Sequence, residues 1–145
     1  MGGVGVEKMN DFGYRELIVW KKAKLFVRIV YAHVKQLPTE EKYALGDQIR
    51  RAVVSIASNI AEGNGRAGSK DYAHFLSIAR GSLYETMAQL EIASDLGYLE
   101  IAPEVETQAV EIGRMLSAMM KKFSHASTPT PTPTPKPTPK PSTYT

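Results

Sequence analysis

The chain has 145 residues, of which 43% are hydrophobic and 23% are charged, so its size and composition fit one globular domain. It contains no cysteine, which excludes disulfides and thiol chemistry and agrees with a reducing cytoplasm. The chain contains no apolar run of about 18 residues, so no membrane span is predicted. Its first residues lack the pattern of a secretory signal. We therefore expect a cytoplasmic protein with no membrane partner.

Positive charge is concentrated in the first half of the chain, although the net charge is only +3. Residues 1–70 hold 12 Lys or Arg side chains against 7 Asp or Glu, whereas residues 71–123 hold 4 against 8. Two interpretations are open. Helices of opposite charge attract their neighbours within or between subunits, or the basic half faces a polyanion.

Apolar residues recur at spacings of three and four over residues 14–123, and this period predicts four helices and no strand. The first helix is predicted over residues 14–37. The second opens after Pro38 with Thr39 as its N-cap. It ends at the glycines of residues 63–65, because glycine accepts the left-handed conformation that ends helices.

The third helix is predicted to open at Ser69, a second N-cap candidate, and to close at Gly97. The fourth begins near Pro103, because proline suits the first helical position. The apolar stripes of these four helices predict the core, which comprises Val19, Trp20, Ala23, Phe26, Val27, Val30, Val34 and Leu37, then Leu45, Ile49, Ala52, Val53, Ile56 and Ile60, then Tyr72, Leu76, Ala79, Leu83, Met87 and Leu90, and finally Val105, Ala109, Ile112, Leu116, Met119 and Phe123.

Short connections between the helices predict antiparallel neighbours. The fold class is therefore all-α, an antiparallel up-down-up-down four-helix bundle over residues 14–123. Residues 1–13 are expected to form a flexible N-terminal extension. Residues 124–145 are expected to form a disordered Thr/Pro-rich tail, because alternating proline removes backbone donors and favours polyproline II.

Four cations of the first helix project within about 60° of one another, on the side away from the core. They are Lys21, Lys24, Arg28 and Lys35. The stripe is either a solvated face or a surface that contacts phosphates. No aromatic residue is interleaved among these cations, so stacking of single-stranded bases is not expected.

Apolar residues beyond the core stripes indicate subunit contacts, because each helix of a bundle needs about one apolar face. They occur on the first and third helices, as Ile18, Leu25 and Ile29 and as Ile78, Ile92 and Leu96. The outer face of the fourth helix is charged. We therefore expect the first three helices to contribute to assembly and the fourth to face solvent. A wider core is the alternative explanation of the additional apolar residues.

The second helix carries a polar stripe beside its apolar face, formed by Gln48, Arg51, Ser55, Ser58, Asn59 and Glu62. Serine and asparagine form helices poorly, so a compensating interaction is expected. Hydrogen bonds to Arg80, Ser82 or Glu85 of the third helix would supply it and would fix register or partner choice.

No set of residues predicts catalysis or metal binding. His33, His74 and His125 have no metal-ligand spacing, and each is expected at the surface or its boundary. The Glu-x-x-His pairs of di-metal bundles do not occur, and the glycine-rich run after the second helix does not follow a strand as a phosphate-binding loop would. We expect no metal, no cofactor and no enzyme activity.

Four sequence blocks form a recognisable pattern. The two long blocks are YALGDQIRRAVVSIASNIAEG at residues 43–63 and FLSIARGSLYETMAQL at residues 75–90, and the short ones are LIVWKKA at residues 17–23 and DLGYL at residues 95–99. In this order the blocks resemble the 23S rRNA intervening-sequence proteins, a bacterial family. The resemblance implies a bundle that assembles as a homopentameric ring without catalytic activity. The family is also similar to accessory proteins of diversity-generating retroelements, which bind a reverse transcriptase and nucleic acid through a basic surface.

Together these features predict a non-enzymatic, homo-oligomeric adaptor associated with RNA or DNA, with a pentamer implied by the resemblance. The expected nucleic-acid contacts are Lys21, Lys22, Lys24, Arg28, Arg50 and Arg51. The expected oligomer interface comprises Ile18, Leu25, Ile29, Gln48, Ser55, Asn59, Glu62, Arg80 and Glu85. The alternative is a protein-interaction scaffold that recruits a partner such as a reverse transcriptase without contacting nucleic acid.

Overall fold

The computed structural model describes residues 12–126, which form four long helices and two short helical segments. In chain order these are a 3-10 helix at Gly13–Glu16, α1 at Ile18–Val34, the short α2 at Thr39–Lys42, α3 at Leu45–Asn64, α4 at Ser69–Asp95 and α5 at Pro103–Ala126. No strand occurs in this part of the chain, which confirms the predicted all-α class.

The four long helices pack in the order α1, α3, α4, α5 around the bundle. Each contacts its neighbours in sequence, and α1 closes the arrangement against α5. The N–H of Glu100, in the loop between α4 and α5, donates to the side chain of Gln36 just after α1, at 3.1 Å. That loop therefore lies at the C-terminal end of α1, as the predicted up-down-up-down topology requires. The bundle has four seams, at α1–α3, α3–α4, α4–α5 and α1–α5.

The predicted apolar stripes form the core. Every residue of those stripes is buried or packs against the buried cluster. Phe26, Ile56, Leu76 and Ile112, one from each long helix, are completely inaccessible to solvent. Burial of one such side chain contributes about 1.5–3 kcal/mol to the free energy of folding. The three-and-four spacing in the sequence is therefore the main cause of the fold.

The first predicted helix is longer than the observed one at both ends. Leu17 adopts an extended conformation (φ −71°, ψ 127°) that separates the 3-10 helix from α1. After Val34 the helix gives way to a tighter turn, in which the N–H of Leu37 donates to the carbonyl of Val34, three residues earlier, at 3.1 Å. Leu37 precedes Pro38, and the residue before a proline disfavours the α conformation.

The second predicted helix is broken into α2 and α3. Ala44 leaves the helical region (φ −117°, ψ −91°), so the helical path changes direction between Lys42 and Leu45. Arg50 bridges this corner, because its Nη2 donates to the carbonyl of Lys42 at 2.7 Å. Thr39 is the first residue of α2 and not its N-cap, a position that the extended Pro38 occupies (ψ 156°).

Two other helix ends also differ from the prediction. Gly68, not Ser69, is the N-cap of α4, and its backbone is extended (φ −106°, ψ 143°). The glycines predicted to end α3 form no left-handed turn, since Gly63 lies within the helix and the cap Gly65 has φ −81°. Gly97 does close α4 in the predicted way: its φ is +78°, and the N–H groups of Gly97 and Tyr98 donate to the carbonyls of Ser94 and Ala93.

The predicted N-terminal extension and Thr/Pro-rich tail lie almost wholly outside the described residues. α5 begins at Pro103 as predicted and runs to Ala126. Among residues 12–126, none of the helices has the combination of length and apolar character that crossing a bilayer demands.

Candidate nucleic-acid interface

A groove along the α1–α3 seam is lined by both cations and aromatic rings. Its central part has a volume of about 580 Å³ and is lined by Tyr31, Asp47, Arg50, Arg51, Val54, Ser55 and Ser58. Val54 and Ser58 also border a depression lined by Tyr14, Trp20, Lys24, Val27, Ala57 and Ala61. Tyr31 and Arg50 border a second one with Val34, Lys35 and Lys42. These three depressions, which share lining residues, are together named the α1–α3 groove.

Helical spacing explains why these side chains share one seam. Trp20, Lys24, Val27, Tyr31 and Lys35 follow one another at intervals of four, three, four and four residues, so they form one stripe on α1. The expectation that no aromatic residue lies among the cations is therefore wrong. Tyr31, which is 39% exposed, lies between Lys24 and Lys35 on the stripe that faces α3.

Trp20 holds Lys24 at the groove. The Nζ of Lys24 lies 4.8 Å from the centroid of the indole ring, within the range of a cation–π interaction. Tyr14 of the 3-10 helix packs edge-on against the same ring, with centroids 4.8 Å apart. The extended Leu17 thus has a structural consequence, because it lets the 3-10 helix fold back onto Trp20.

The groove carries positive charge that the described part of the chain does not neutralise. Within residues 12–126, Lys24, Lys35 and Arg51 form no ion pair. Asp47 is the one carboxylate among the lining residues, and it pairs with Arg50, three residues later on the same helix. Since Arg50 also binds the carbonyl of Lys42, it has a structural role beside any contact with a ligand.

The predicted nucleic-acid contacts fall at three places. Lys24, Arg50 and Arg51 line the α1–α3 groove. Lys21 and Arg28 are exposed on the adjoining outer face of α1. Lys22 lies on the α1–α5 seam, where its Nζ is 3.1 Å from the carboxylate of Glu111. Three of the six cations therefore line the groove. Lys42 lines it as well, and so does Lys35, which the sequence placed in the basic stripe of the first helix but not among the six expected contacts.

The polar stripe of α3 has the predicted partner on α4. The hydroxyl groups of Ser55 and Ser82 are 2.9 Å apart across the α3–α4 seam, which confirms the expected hydrogen bond. The amide of Asn59 donates to the Ser55 hydroxyl at 2.9 Å, and Gln89 approaches Gln48 at 3.5 Å. Glu62 pairs within its own neighbourhood, with Arg66 at 2.9 Å. These contacts all lie within one chain, although the Oε1 of Gln89 is buried with no hydrogen-bond partner among the described residues.

The surplus apolar residues of α1 lie beside the α1–α5 seam. Ile18 and Leu25 are 63% and 46% exposed, and they share a stripe with Lys22, which reaches Glu111 of α5. Ile29 packs partly against the core. This pair, Ile18 and Leu25, is named the α1 strip.

The surplus apolar residues of α4 lie beside the α3–α4 seam. Ile78, Ile92 and Leu96 are 38%, 52% and 56% exposed. They lie on the same side of α4 as Ser82 and Gln89, which contact α3. This set is named the α4 strip. Because the α1–α5 and α3–α4 seams are opposite each other, the two strips lie on opposite faces of the bundle.

The remaining seam, α4–α5, carries a groove of about 680 Å³. Leu83, Met87, Ala109 and Gly113 line it together with polar or exposed residues that include Arg80, Tyr84, Glu91, Glu106 and Arg114. Val110, at 43% exposure, is an apolar residue on the otherwise charged outer face of α5. Charges of both signs therefore surround an apolar floor, in contrast to the basic α1–α3 groove.

His33 is not the surface residue that was expected. It is buried, with 6% exposure, and both ring nitrogens are engaged. Nδ1 donates to the carbonyl of Ile29 at 2.8 Å, and Nε2 accepts from the N–H of Ala102 at 3.1 Å. The ring thus ties α1 to the loop before α5. Within residues 12–126, no group of three His, Asp or Glu side chains is arranged to hold a metal ion.

Comparisons with known proteins agree with this architecture. The profile of the family described as 23S rRNA-intervening sequence protein matches residues 15–118. A crystal structure from Bacteroides thetaiotaomicron, described as a protein of unknown function from the S23 ribosomal protein family, has 28% sequence identity and a TM-score of 0.63. The match covers 72% of this chain and 99% of that one. No curated protein matches the chain. The chain belongs to the 23S rRNA-intervening sequence protein family.

Proposed function

We propose that this protein is a non-enzymatic cytoplasmic adaptor that assembles with copies of itself and presents the α1–α3 groove to RNA or DNA. The observation that carries the proposal is the groove itself, where Lys24, Lys35 and Arg51 surround an exposed Tyr31 and form no ion pair within residues 12–126. Such a surface suits a polyanion. The family's description, which refers to 23S rRNA, supports the same class of partner.

The α1 strip and the α4 strip support self-assembly. They are apolar, exposed and different from each other, so a strip on one copy would pack against the other strip of the next copy. A contact between two different surfaces is heterologous, and it closes into a ring when the rotation between copies allows. A pentamer, implied by the family resemblance, is the ring size that we propose. Both grooves lie on the seams that this contact leaves free.

Binding should be tested by fluorescence anisotropy with a structured RNA and a duplex DNA. At about 50 mM salt we expect binding, and we expect it to weaken steeply by about 200 mM. Arg51→Gln should weaken binding and reduce the slope of log K against log salt by about 1. The matched control is Lys121→Gln, which removes one exposed cation from the outer face of α5. No binding at the lower salt, or binding that ignores salt, would refute the proposal.

Head-to-tail assembly should be tested by sedimentation of two blocked variants. Ile18→Glu removes the α1 strip and Ile92→Glu removes the α4 strip, so each variant alone should be monomeric. A mixture of the two should form a dimer and nothing larger, because one intact strip of each kind remains. Val110→Glu, on the α4–α5 seam, should assemble normally. A wild-type chain that is monomeric at micromolar concentration would refute the assembly.

The α4–α5 groove favours a second candidate, a scaffold that recruits a protein without contacting nucleic acid. Its apolar floor between Arg80, Glu91 and Glu106 is the kind of surface that binds protein segments. Under this alternative the partner, such as a reverse transcriptase, would copurify with the chain after nuclease treatment. Tyr84→Glu should then abolish copurification, while Arg51→Gln should not affect it.

A further inference from the structure

We infer that the α1–α3 groove takes a single-stranded segment of nucleic acid in preference to a duplex, with an unpaired base stacked on Tyr31. This inference rests on the proposed function and narrows its ligand. The starting observation is the place of Tyr31, an exposed ring at the centre of a groove that also carries Lys24, Lys35 and Arg51.

The spacing of the cations fits a strand that follows α1. At 1.5 Å per helical residue, Lys24 lies about 10 Å and Lys35 about 6 Å from Tyr31 along the axis. With an axial rise of about 3.4 Å per nucleotide in a stacked strand, these distances correspond to about three and two nucleotides. The two lysines therefore lie where phosphates on either side of a base at Tyr31 would be.

The shape of the groove argues against a duplex. Packed helices lie about 8–10 Å apart, so one strand can enter the seam between them, whereas a duplex would contact only the cations at its rim. In a duplex, moreover, both faces of each base are already stacked, and a ring cannot reach them. An unpaired base offers a free face, and stacking on aromatic side chains tolerates any base.

The interior of the groove also suits a base. Val27, Val54 and Ala57 provide apolar surface, and Ser58 provides a hydroxyl group beside it. Lys24 now rests over the ring of Trp20, and a phosphate would attract it away from that ring. Because Trp20 is the only tryptophan of the chain, its fluorescence would report this movement.

The test compares ligands of matched length on the full chain by fluorescence anisotropy. The probes are an unstructured oligouridylate, an oligothymidylate and a mixed-sequence duplex, each of about 16 nucleotides, the upper end of common single-strand sites. We expect the wild-type chain to bind both single strands about 10-fold more tightly than the duplex, and each single strand to change the Trp20 fluorescence. The two sugars distinguish RNA from DNA as the source of the strand.

Variants then assign the preference to Tyr31. Tyr31→Leu should weaken single-strand binding on the order of 10-fold and leave duplex binding unchanged, whereas Tyr31→Phe should bind like wild type because it keeps the ring. Tyr84→Leu, which removes an exposed tyrosine from the α4–α5 seam, is the matched control and should change nothing.

The outcomes separate this inference from the proposed function. Equal affinity of the wild-type chain for single strands and duplex would overturn the inference while the proposed function stands. The same conclusion follows if Tyr31→Leu, with the helical circular dichroism of wild type, keeps its single-strand affinity. Failure of every probe to bind at low salt would overturn both. The comparison of probes uses the wild-type chain, so it does not depend on the folding of any variant.

Discussion

Replacement of Gly63 by alanine should destabilise the bundle, although alanine is the best helix former. Gly63 lies one residue before the end of α3 and is buried against the first turns of α4. A Cβ atom there would lie 2.8 Å from the Cβ of Phe75 and 3.0 Å from the Cδ1 of Tyr72. The 2.8 Å contact is with an atom attached directly to the backbone, so the side chain cannot simply rotate away.

The magnitude follows from two opposing effects. Within a helix, alanine is favoured over glycine by about 1 kcal/mol, and by less near a helix end. Overpacking of a well-packed site costs about 1–3 kcal/mol. The net effect is a loss of about 1–2 kcal/mol, which lowers Tm by about 4–8 °C for a domain of this size.

Gly81→Ala is the matched control. Gly81 lies in the middle of α4, and a Cβ atom there would meet nothing within 4 Å. The Gly81→Ala variant should therefore be more stable than the wild type by about 1 kcal/mol. Both variants should be unfolded in urea at the same protein concentration and followed by circular dichroism, because the proposed assembly would make stability depend on concentration. If the Gly63→Ala variant were as stable as the wild type, or more stable, the close packing of α3 on α4 would be refuted.

Three further predictions concern the seams. A double-mutant cycle of Ser55→Ala and Ser82→Ala should give a coupling of about 0.5–1.5 kcal/mol in urea unfolding, and zero coupling would contradict the hydrogen bond across the α3–α4 seam. His33→Leu should lower the free energy of unfolding by about 2 kcal/mol, because the N–H of Ala102 loses its acceptor. A decrease below about 0.5 kcal/mol in the same assay would show that this contact is dispensable. Lys22→Gln should change stability by less than about 0.5 kcal/mol, since both partners of its ion pair are solvent-accessible, and a larger loss in thermal unfolding would argue against that reasoning.

The sequence predicted the parts of this fold that depend on repetition. The core stripes and the end of α4 at Gly97 follow from spacing and from one residue type, and the structure has both. Helix starts were less predictable, because Thr39 and Ser69 have the side chains of N-caps but the extended backbone falls one residue earlier, at Pro38 and Gly68. Residue type alone does not determine which residue adopts the extended backbone of an N-cap.

The candidate site was only partly visible in the sequence for related reasons. Tyr31 could have been found from its spacing to Lys24 and Lys35, since all three share a stripe. Lys42 could not, because its place depends on the corner between α2 and α3. His33 was misjudged since its partner, the N–H of Ala102, is 69 residues away in the chain and no local pattern reveals it. The hydrogen bond of Ser55 was predictable because weak helix formers on one face require a partner.

The position of the α1–α3 groove, on a seam that neither apolar strip occupies, has a consequence for avidity. In a ring built through the strips, every copy would keep its groove open, so one assembly would offer the same weak site several times. A strand long enough to reach a second groove binds it at a high effective concentration, and linked sites of this kind can strengthen binding by about 10²–10⁴ without any new contact. Affinity would then rise in steps with strand length, each step marking the engagement of another subunit.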